Sequence, residues 1–557
     1  MIVLRKQLTS SLQSLCRVQR SIIKLTRACT TMNEPIVTVK QGKLRGTLIE
    51  GALGPCYVAF HEIPFAAPPV GKLRFKDPEP PAPWTGIKDV SKYVGKACPQ
   101  IEERSPYDII GDEDCLYLNV YTNSISDCTR KPVMFWIHGG AFLIGNGCYN
   151  TKRPDYLVTK DIVVVLTNYR LGAFGFLNLG DAAAPGNQGL KDLIAALEWV
   201  KENIAGFGGD PENVTIFGAS AGGALVHALT VSPCAQGLFH KAIMQSGLLT
   251  CPWAYNQSHP SRGFKLATFL GKESTDPVEV VEFLRTIDAK DIVKAHSTIL
   301  TQEEVNGCCL PFGLNTDNFA EYSVLPESMD QLISNVVDIP VMIGYTSHEY
   351  LMFFKDKCEG TMKTHDKNLP LYVKILAMLK KLGSAETEEL LKTIKDCYFD
   401  GQPITPDKVQ EFIRFMGDLN FGIPAKMYVE NRVKETCSPS YFYKFSYVGE
   451  QETHTDLLLK RIVPGASHVD ELSYLFYSPY LKIKDPKPPA VCTKDRLVIE
   501  RLTTMWTNFA KTGDPTPCQD DIIKTTWKPV TKDKFNYLDI GDESELLTME
   551  PHVLSSK

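Results

Sequence analysis

The chain has 557 residues, of which 43% are hydrophobic and 22% are charged, and its formal net charge is −5. A chain of this composition can bury a large core, which excludes an intrinsically disordered or fibrous protein. The slightly acidic balance offers no basic surface for nucleic acid. No apolar run reaches the roughly 18 residues that are needed to span a bilayer.

The first 31 residues form a segment of their own. No acidic residue precedes Glu34, and on a helix six aliphatic side chains fall on one face and five of the basic side chains on the opposite face. This pattern predicts a leader over residues 1–31, either a mitochondrial transit peptide or a helix on a membrane surface, unless the chain starts at Met32. The apolar stretch is too short for a secretory signal, so we expect a mitochondrial, cytoplasmic or peripheral-membrane location.

The 16 cysteines are scattered from Cys16 to Cys518, with no C-x-x-C motif and no cluster at zinc-ligand spacing. Secreted disulfide scaffolds are short and cysteine-dense, which this chain is not. We therefore expect mostly reduced thiols in an intracellular protein, with no bound metal. Cys98 and Cys115 could form one disulfide bond.

Residues 35–550 contain no linker, repeat or low-complexity tract, which predicts a single domain. Short apolar runs alternate with helix-like stretches such as 189–203. This alternation predicts an α/β fold with a large, mostly parallel central sheet and helices on both faces. In such sheets, chemistry collects at the carboxyl ends of the strands. The predicted strands are 133–137, 162–166, 214–217, 241–244 and 339–343.

The strand 133–137 ends in His138-Gly139-Gly140. A glycine loop at a strand end can present free backbone N–H groups to a developing oxyanion. Together with the N–H of Ala221, the amides of Gly139 and Gly140 would form a cradle of three donors. The alternative is an ordinary turn that ends a strand.

The strand 214–217 runs into Gly218-Ala219-Ser220-Ala221-Gly222, a G-x-S-x-G sequence followed by a helix-competent stretch. Glycines on both sides permit a sharp strand-to-helix turn that exposes the serine above the sheet. This context predicts that Ser220 is a catalytic nucleophile rather than a surface serine.

A triad on such a sheet runs in the chain order serine, acid, histidine. Glu349 lies just past the strand 339–343 and can serve as the acid, whereas His348 precedes the acid and is interpreted as a loop-packing residue. The histidines that follow are His365, His454, His468 and His552.

Among these histidines we prefer His468 as the base, because it lies in a turn-rich loop after the strand-like segment 441–445. His454 competes with it from a polar loop. His365, in a charged run, and His552, in the polar tail, are predicted to be solvated.

Many ordered segments of the chain resemble the carboxylesterase/cholinesterase (type-B carboxylesterase/lipase) family over residues 35–530. They include FHEIPFAAPPVGKLRF (60–75), EDCLYLNVY (113–121), NYRLGAFGFL (168–177), GNQGL (186–190), FGGDPENVTIFGASAG (207–222), QSG (245–247), GASHVDEL (465–472) and WTNFAKTGDP (506–515). Within that family the chain is most similar to the insect α-esterases.

The resemblance implies an α/β-hydrolase fold and a serine carboxylesterase without a cofactor. It places the triad on Ser220, Glu349 and His468 and the oxyanion hole on Gly139, Gly140 and Ala221. It also implies an intracellular enzyme of broad ester range, consistent with detoxification. Trp253 falls where the insect enzymes place an acyl-pocket aromatic residue, although a core tryptophan would fit as well.

Two departures from the family bear on the substrate. Ala219 stands where the family usually has glutamate before the nucleophile, and no tryptophan lies between Trp84 and Trp136 to stack on a quaternary ammonium. We therefore expect an uncharged small-molecule ester as the substrate. Of the family's usual disulfide bonds, only Cys98–Cys115 is expected here.

The closest alternatives are a lipase or a thioesterase of the same fold. A non-catalytic adhesion or scaffold protein is the rival from another class, and the retained serine and histidine argue against it. A membrane-surface contact is expected only through residues 1–31, and the sequence does not indicate an oligomeric state.

Overall fold

The computed structural model describes residues 34–103, 105–125, 129–255, 259–354, 356–458, 461–479, 482 and 486–548. The leader predicted over residues 1–31 lies outside these ranges. In the part of the chain that is described, no helix combines the length and the apolar character that crossing a bilayer requires.

The strands of the described ranges follow one another along the whole chain. They are β1 (Ile36–Val39), β2 (Gly42–Arg45), β3 (Thr47–Glu50), β4 (Cys56–Pro64), β5 (Ile87–Asp89), β6 (Gln100–Glu102), β7 (Ser105–Ile110), β8 (Tyr117–Thr122), β9 (Lys131–Ile137), β10 (Val163–Thr167), β11 (Asn178–Asp181), β12 (Ala184–Pro185), β13 (Gly209–Ala219), β14 (Lys241–Gln245), β15 (Val341–Thr346), β16 (Ser440–Phe445), β17 (Asn536–Ile540) and β18 (Ser544–Thr548).

The α-helices of the same ranges lie mostly between the later strands. They are α1 (Gly172–Phe176), α2 (Gln188–Asn203), α3 (Ala221–Val231), α4 (Pro260–Phe269), α5 (Pro277–Thr286), α6 (Ala289–Ala295), α7 (Gln302–Asn306), α8 (Met329–Ser334), α9 (Glu359–Leu379), α10 (Ser384–Phe399), α11 (Val409–Gly417), α12 (Ile423–Glu435), α13 (His454–Leu458), α14 (Leu472–Leu475) and α15 (Lys494–Thr512).

The central sheet has eleven strands in the order β18-β17-β16-β15-β14-β13-β9-β10-β8-β4-β3. Its seven strands from β10 to β17 are mutually parallel, and antiparallel strands complete both edges. The predicted fold class is therefore confirmed. Each predicted strand is present with small shifts at its ends, and β13 begins at Gly209 rather than at residue 214.

Both faces of the sheet are covered, which explains why its strands are apolar throughout. In β9, Phe135 belongs to a core cluster that includes Leu193 of α2, whereas Met134 belongs to a second cluster that includes Leu502 of α15. Alternate side chains of a strand point to opposite faces, so both sets of positions in β9 must be apolar.

A third core cluster lies beyond the end of β15 and consists mainly of α9, α10 and α11. Leu351 and Phe354 join this cluster, and the short 3₁₀ turn Glu349–Phe353 leads into it. The helices thereby anchor the segment that carries Glu349 at the carboxyl end of the parallel sheet.

Candidate active site

Ser220 occupies a strained turn between β13 and α3. Its φ of 58° lies in the left-handed region that residues other than glycine rarely adopt. A Cβ atom at Gly218 or at Gly222 would lie 2.6 Å or 2.2 Å from a backbone oxygen, so the turn requires glycine at both positions. The turn places Ser220 at the N-terminus of α3, where free amides and the helix dipole favour negative charge.

The loop after β9 lies directly against this serine. A Cβ atom at Gly139 would lie 2.5 Å from the Ala219 carbonyl oxygen and 3.0 Å from the Ser220 Cβ atom. Gly140 has a φ of 115°, which favours glycine. Among the described residues, the amides of Gly139 and Gly140 donate to no carbonyl or side chain. They are therefore available to a ligand beside Ser220.

We expect Gly139→Asp to lower kcat/KM for a short-chain ester by about 10²–10³-fold, the typical effect of losing one oxyanion donor. The new side chain would displace the amide, and its carboxylate would oppose negative charge on the substrate oxygen. Steady-state kinetics measures the loss. Gly360→Asp is the control, because a Cβ atom at Gly360 meets nothing within 4 Å. Unchanged turnover in Gly139→Asp would remove Gly139 from the proposed hole.

Glu349 and His468 form a buried hydrogen-bonded pair. The His468 Nδ1–H donates to Glu349 Oε2 at 2.5 Å, and the two residues are 2% and 1% exposed, respectively. The other carboxylate oxygen, Oε1, accepts hydrogen bonds from the Ser246 hydroxyl at 2.6 Å and the Thr346 amide at 2.7 Å. The imidazole is thus held through Nδ1, and its Nε2 has no partner among the described residues.

Ser220 and His468 line one cavity of about 480 Å³. Cavities of this size, with a mainly apolar wall and a few placed polar groups, are typical small-molecule sites. The structure brings Ser220, Gly139, Gly140 and His468 to this cavity and places Glu349 directly behind the imidazole. Apolar side chains of the wall include Trp136, Ile144, Met352, Phe353 and Leu472.

Ser246 is a site residue that the sequence analysis did not single out. It follows β14, has a φ of 49° and is 1% exposed. Its hydroxyl is one of the groups that fix the Glu349 carboxylate. The available signal was its position just past a predicted strand, at the same sheet edge as Ser220 and Glu349.

Arg461 holds the loop that carries His468. Its guanidinium donates to Asp456 Oδ1 at 2.7 Å and to Asp470 Oδ2 at 2.7 Å. Asp470 in turn accepts the Ser467 amide at 2.8 Å, on the residue before the histidine. These charge-assisted bonds fix the loop backbone and with it the position of the imidazole.

The competing histidine His454 also lines the cavity but is not bonded to Glu349. Its Nε2 lies 2.9 Å from Glu103 Oε1, and it is the first residue of α13 rather than part of an irregular loop. His454 therefore lacks the buried acid that positions His468. His552 lies outside the described residues.

The prediction that His365 is solvated is wrong. His365 is partly buried in α9, its Nδ1 lies 2.9 Å from the Tyr372 hydroxyl, and its ring packs on Phe412 at 4.3 Å. The neighbouring Lys363 and Lys367 are exposed, whereas Asp366 accepts a hydrogen bond from the Ile404 amide at 2.9 Å. His348 pairs with Ser467 in a short bridge and packs between the two loops that carry Glu349 and His468.

Trp253 is buried to 8% exposure, and its indole N–H donates to the Asn420 carbonyl at 3.1 Å. Its ring lies 5.8 Å from Phe421, and Phe421 packs on the His468 ring at 4.8 Å between centroids. Trp253 thus lies one aromatic ring behind the imidazole.

Cys98 and Cys115 are joined in a disulfide bond. Cys56 also takes part in a disulfide, so the expectation that Cys98–Cys115 is the one bond was wrong. Spacing along the chain does not determine which cysteines meet, because partners are set by the fold.

A buried polar cluster lies beneath the Glu349–His468 pair. Gln245 Nε2 donates to Glu471 Oε1 at 2.9 Å, and the Trp506 indole donates to Gln245 Oε1 at 3.2 Å. Burial raises the pKa of Glu471 to about 8, and the nearby Glu349 carboxylate adds to this shift. Glu471 is therefore neutral at pH 7 and leaves Glu349 as the carboxylate that faces His468.

The raised pKa of Glu471 predicts a pH-dependent stability. The folded protein holds a proton that the unfolded chain releases above its ordinary pKa of 4.5, so the free energy of unfolding falls as the pH rises to about 8. We expect Glu471→Gln to remove this dependence, so that the variant gains a few kcal/mol on the wild type between about pH 5 and pH 8. Urea unfolding at several pH values measures it.

The exposed Glu273→Gln serves as the matched control for this experiment and should follow the wild-type profile. If the free energies of unfolding of the wild type and of Glu471→Gln changed in parallel over the whole pH range, Glu471 would be ionised in the folded protein.

In this structure a central strand of a parallel sheet ends in a serine at a strand-to-helix turn. The serine lies beside free amides and shares a cavity with the histidine of a buried glutamate–histidine pair. This arrangement defines an α/β-hydrolase. Residues 33–554 match the model of the carboxylesterase family. The chain therefore belongs to the carboxylesterase family, and it is a serine hydrolase that acts on carboxylic esters.

The similarity to known proteins covers nearly the whole chain. Esterase FE4 of Myzus persicae is 33% identical over 95% of this chain and 93% of its own length. The juvenile hormone esterase of Tribolium castaneum is 33% identical over 92% of this chain and 88% of its own. The crystal structure of juvenile hormone esterase from Manduca sexta, with OTFP covalently attached, superposes with a TM-score of 0.81 at 28% identity, covering 94% of this chain and 97% of that one.

Proposed function

We propose that this carboxylesterase cleaves its substrate in two steps through an acyl-enzyme on Ser220. His468 takes the hydroxyl proton as the serine oxygen attacks the ester carbonyl, and the amides of Gly139, Gly140 and Ala221 bind the oxyanion. His468 then gives the proton to the departing alcohol. Water that loses a proton to His468 attacks the acyl carbon and frees the serine. These steps use neither a metal nor an organic cofactor.

The observation that carries the proposal is the buried Glu349–His468 hydrogen bond at the wall of a cavity that Ser220 shares. Glu349 fixes the tautomer in which Nδ1 carries the proton, so the Nε2 lone pair is free to act as a base. The strained turn and the adjacent free amides supply the other two requirements, an exposed nucleophile and an oxyanion site. The covalent attachment of OTFP in the Manduca sexta relative is consistent with a nucleophilic enzyme.

For the substrate we propose uncharged carboxylic esters. Ala219 leaves no carboxylate next to Ser220, and the cavity wall offers no second tryptophan besides Trp136 among its lining residues. A cationic alcohol group would therefore lack a carboxylate on the residue next to Ser220 and a second tryptophan to stack on. Phe353, which lines the cavity against the His468 ring, is proposed to limit the acyl group, with Phe421 and then Trp253 packed behind it.

An acyl-chain series on the purified enzyme tests this function. With 4-nitrophenyl esters from acetate to palmitate, kcat/KM should be highest for short or medium acyl groups, because the Phe353 ring lines the cavity against His468. A rise that continues to palmitate would favour a lipase. Faster cleavage of a thioester than of the matched oxygen ester would favour a thioesterase.

A further inference from the structure

One cation stands out in the wall of the substrate cavity. Lys152 follows the glycine loop on a turn in which its amide donates to the Cys148 carbonyl at 3.0 Å. The next residue, Arg153, pairs with Tyr477 in a short antiparallel bridge, which fixes this stretch of the wall beside the 477–478 segment. Lys152 and Ser220 line the same cavity.

The Lys152 ammonium has neither an ion-pair partner within 4.0 Å nor a hydrogen-bond acceptor among the described residues. Lys152 is half-buried, whereas two buried lysines have partners: Lys191 lies 2.7 Å from Asp77, and Lys241 donates to the Asn213 side chain. Burying an unpaired charge costs free energy, which lowers the pKa of Lys152. A cation left unpaired at a cavity wall is a typical ligand-binding group.

The nearby Glu103 acts on the charge of Lys152 but forms no ion pair with it. Glu103 is the carboxylate that acts on it electrostatically, and its Oε1 is already engaged by His454 at 2.9 Å. Glu102 also lines the cavity but is not among the groups that shift the pKa of Lys152. No carboxylate of the described residues comes within 4.0 Å of the Lys152 ammonium, which is therefore available to a carboxylate on a bound ester.

We propose that Lys152 is a specificity-determining residue that binds a carboxylate carried by the substrate at a distance from the scissile ester. The inference rests on the proposed function and extends it. Uncharged esters remain substrates because bond cleavage does not involve Lys152, and a remote carboxylate gains a charge-assisted hydrogen bond.

The test uses two pairs of esters, each with one anionic and one neutral member. Mono-4-nitrophenyl suberate and its methyl ester carry the remote group on the acyl side. 4-Carboxyphenyl butyrate and its methyl ester carry it on the alcohol side. The enzymes are the wild type, Lys152→Met, Lys152→Arg and the exposed control Lys392→Met.

In at least one pair, Lys152→Met should lower kcat/KM for the anionic ester by about tenfold to a hundredfold, mainly through KM, and change the neutral ester less than twofold. Lys152→Arg should retain the preference, and Lys392→Met should behave as the wild type. In the wild type, salt should reduce the anionic preference, a readout that needs no variant.

Equal losses on both members of each pair would assign Lys152 a structural role and overturn the inference, as would no loss on either anionic ester or a salt-independent preference. A wild-type enzyme that cleaves none of the four esters would instead overturn the proposed function. The two failures are thus distinguishable.

Discussion

Replacing Ser220 by alanine is expected to lower kcat for a 4-nitrophenyl ester by about 10⁴–10⁶-fold, the loss typical of removing a nucleophile from a triad. Ser220 is the residue at the strained turn after β13, a Cβ atom at Gly139 would lie 3.0 Å from its Cβ atom, and the unpartnered His468 Nε2 shares its cavity. Folding should be preserved, because alanine is smaller than serine and the φ of 58° is imposed by the surrounding turn.

Two measurements distinguish a loss of catalysis from a loss of folding in Ser220→Ala. The Tm of Ser220→Ala should stay within a few degrees of the wild-type value, and Ser297→Ala, an exposed serine on another part of the surface, should keep full activity. Intact-mass spectrometry after treatment with an alkylphosphonate ester should show one adduct on the wild type and none on Ser220→Ala. An adduct or near-normal turnover in the variant would rule out Ser220 as the nucleophile.

Local sequence was sufficient for the features that depend on short stretches of chain. The run 214–217 followed by G-x-S-x-G predicted a strand, a turn and a helix, and β13, Ser220 and α3 have this arrangement. The apolar pattern predicted a covered parallel sheet because both faces of its strands are buried. Chain order then reduced the choice of acid and base, since carboxyl ends of parallel strands share one edge.

Features that depend on contacts between distant segments could not be predicted. The hydrogen bond from Ser246 to Glu349 joins residues 103 positions apart, and nothing in the sequence around Ser246 encodes its partner. The neutral state of Glu471 follows from its burial, which a loop rich in acidic residues does not suggest. His365 was misjudged for a related reason: the neighbouring Lys363 and Lys367 are exposed while its own ring packs on Phe412.

The second large loss of kcat is expected when the proposed base, His468, is replaced. We expect His468→Gln to reduce kcat about as strongly as Ser220→Ala, and the double variant to lose little more than either single variant, because the two groups act as one unit. The buried pair gives the reason: Glu349 holds Nδ1, and the unpartnered Nε2 is the base available to the serine hydroxyl. Glutamine fills a similar volume between Phe353 and Phe421 but cannot accept the proton.

A double-mutant cycle on kcat, with the uncatalysed rate measured in the same buffer, provides the decisive comparison. Both single variants and the double variant should retain a common residual rate of about 10³-fold over buffer, supplied by binding and by the amides of Gly139, Gly140 and Ala221. A common residual rate is expected if Ser220 and His468 act together, because removing either side chain already disables the other. If instead the fold-losses in kcat of the two single variants multiplied, the double variant would react at the buffer rate. The two side chains would then contribute separately, and His468 would not be the base for Ser220.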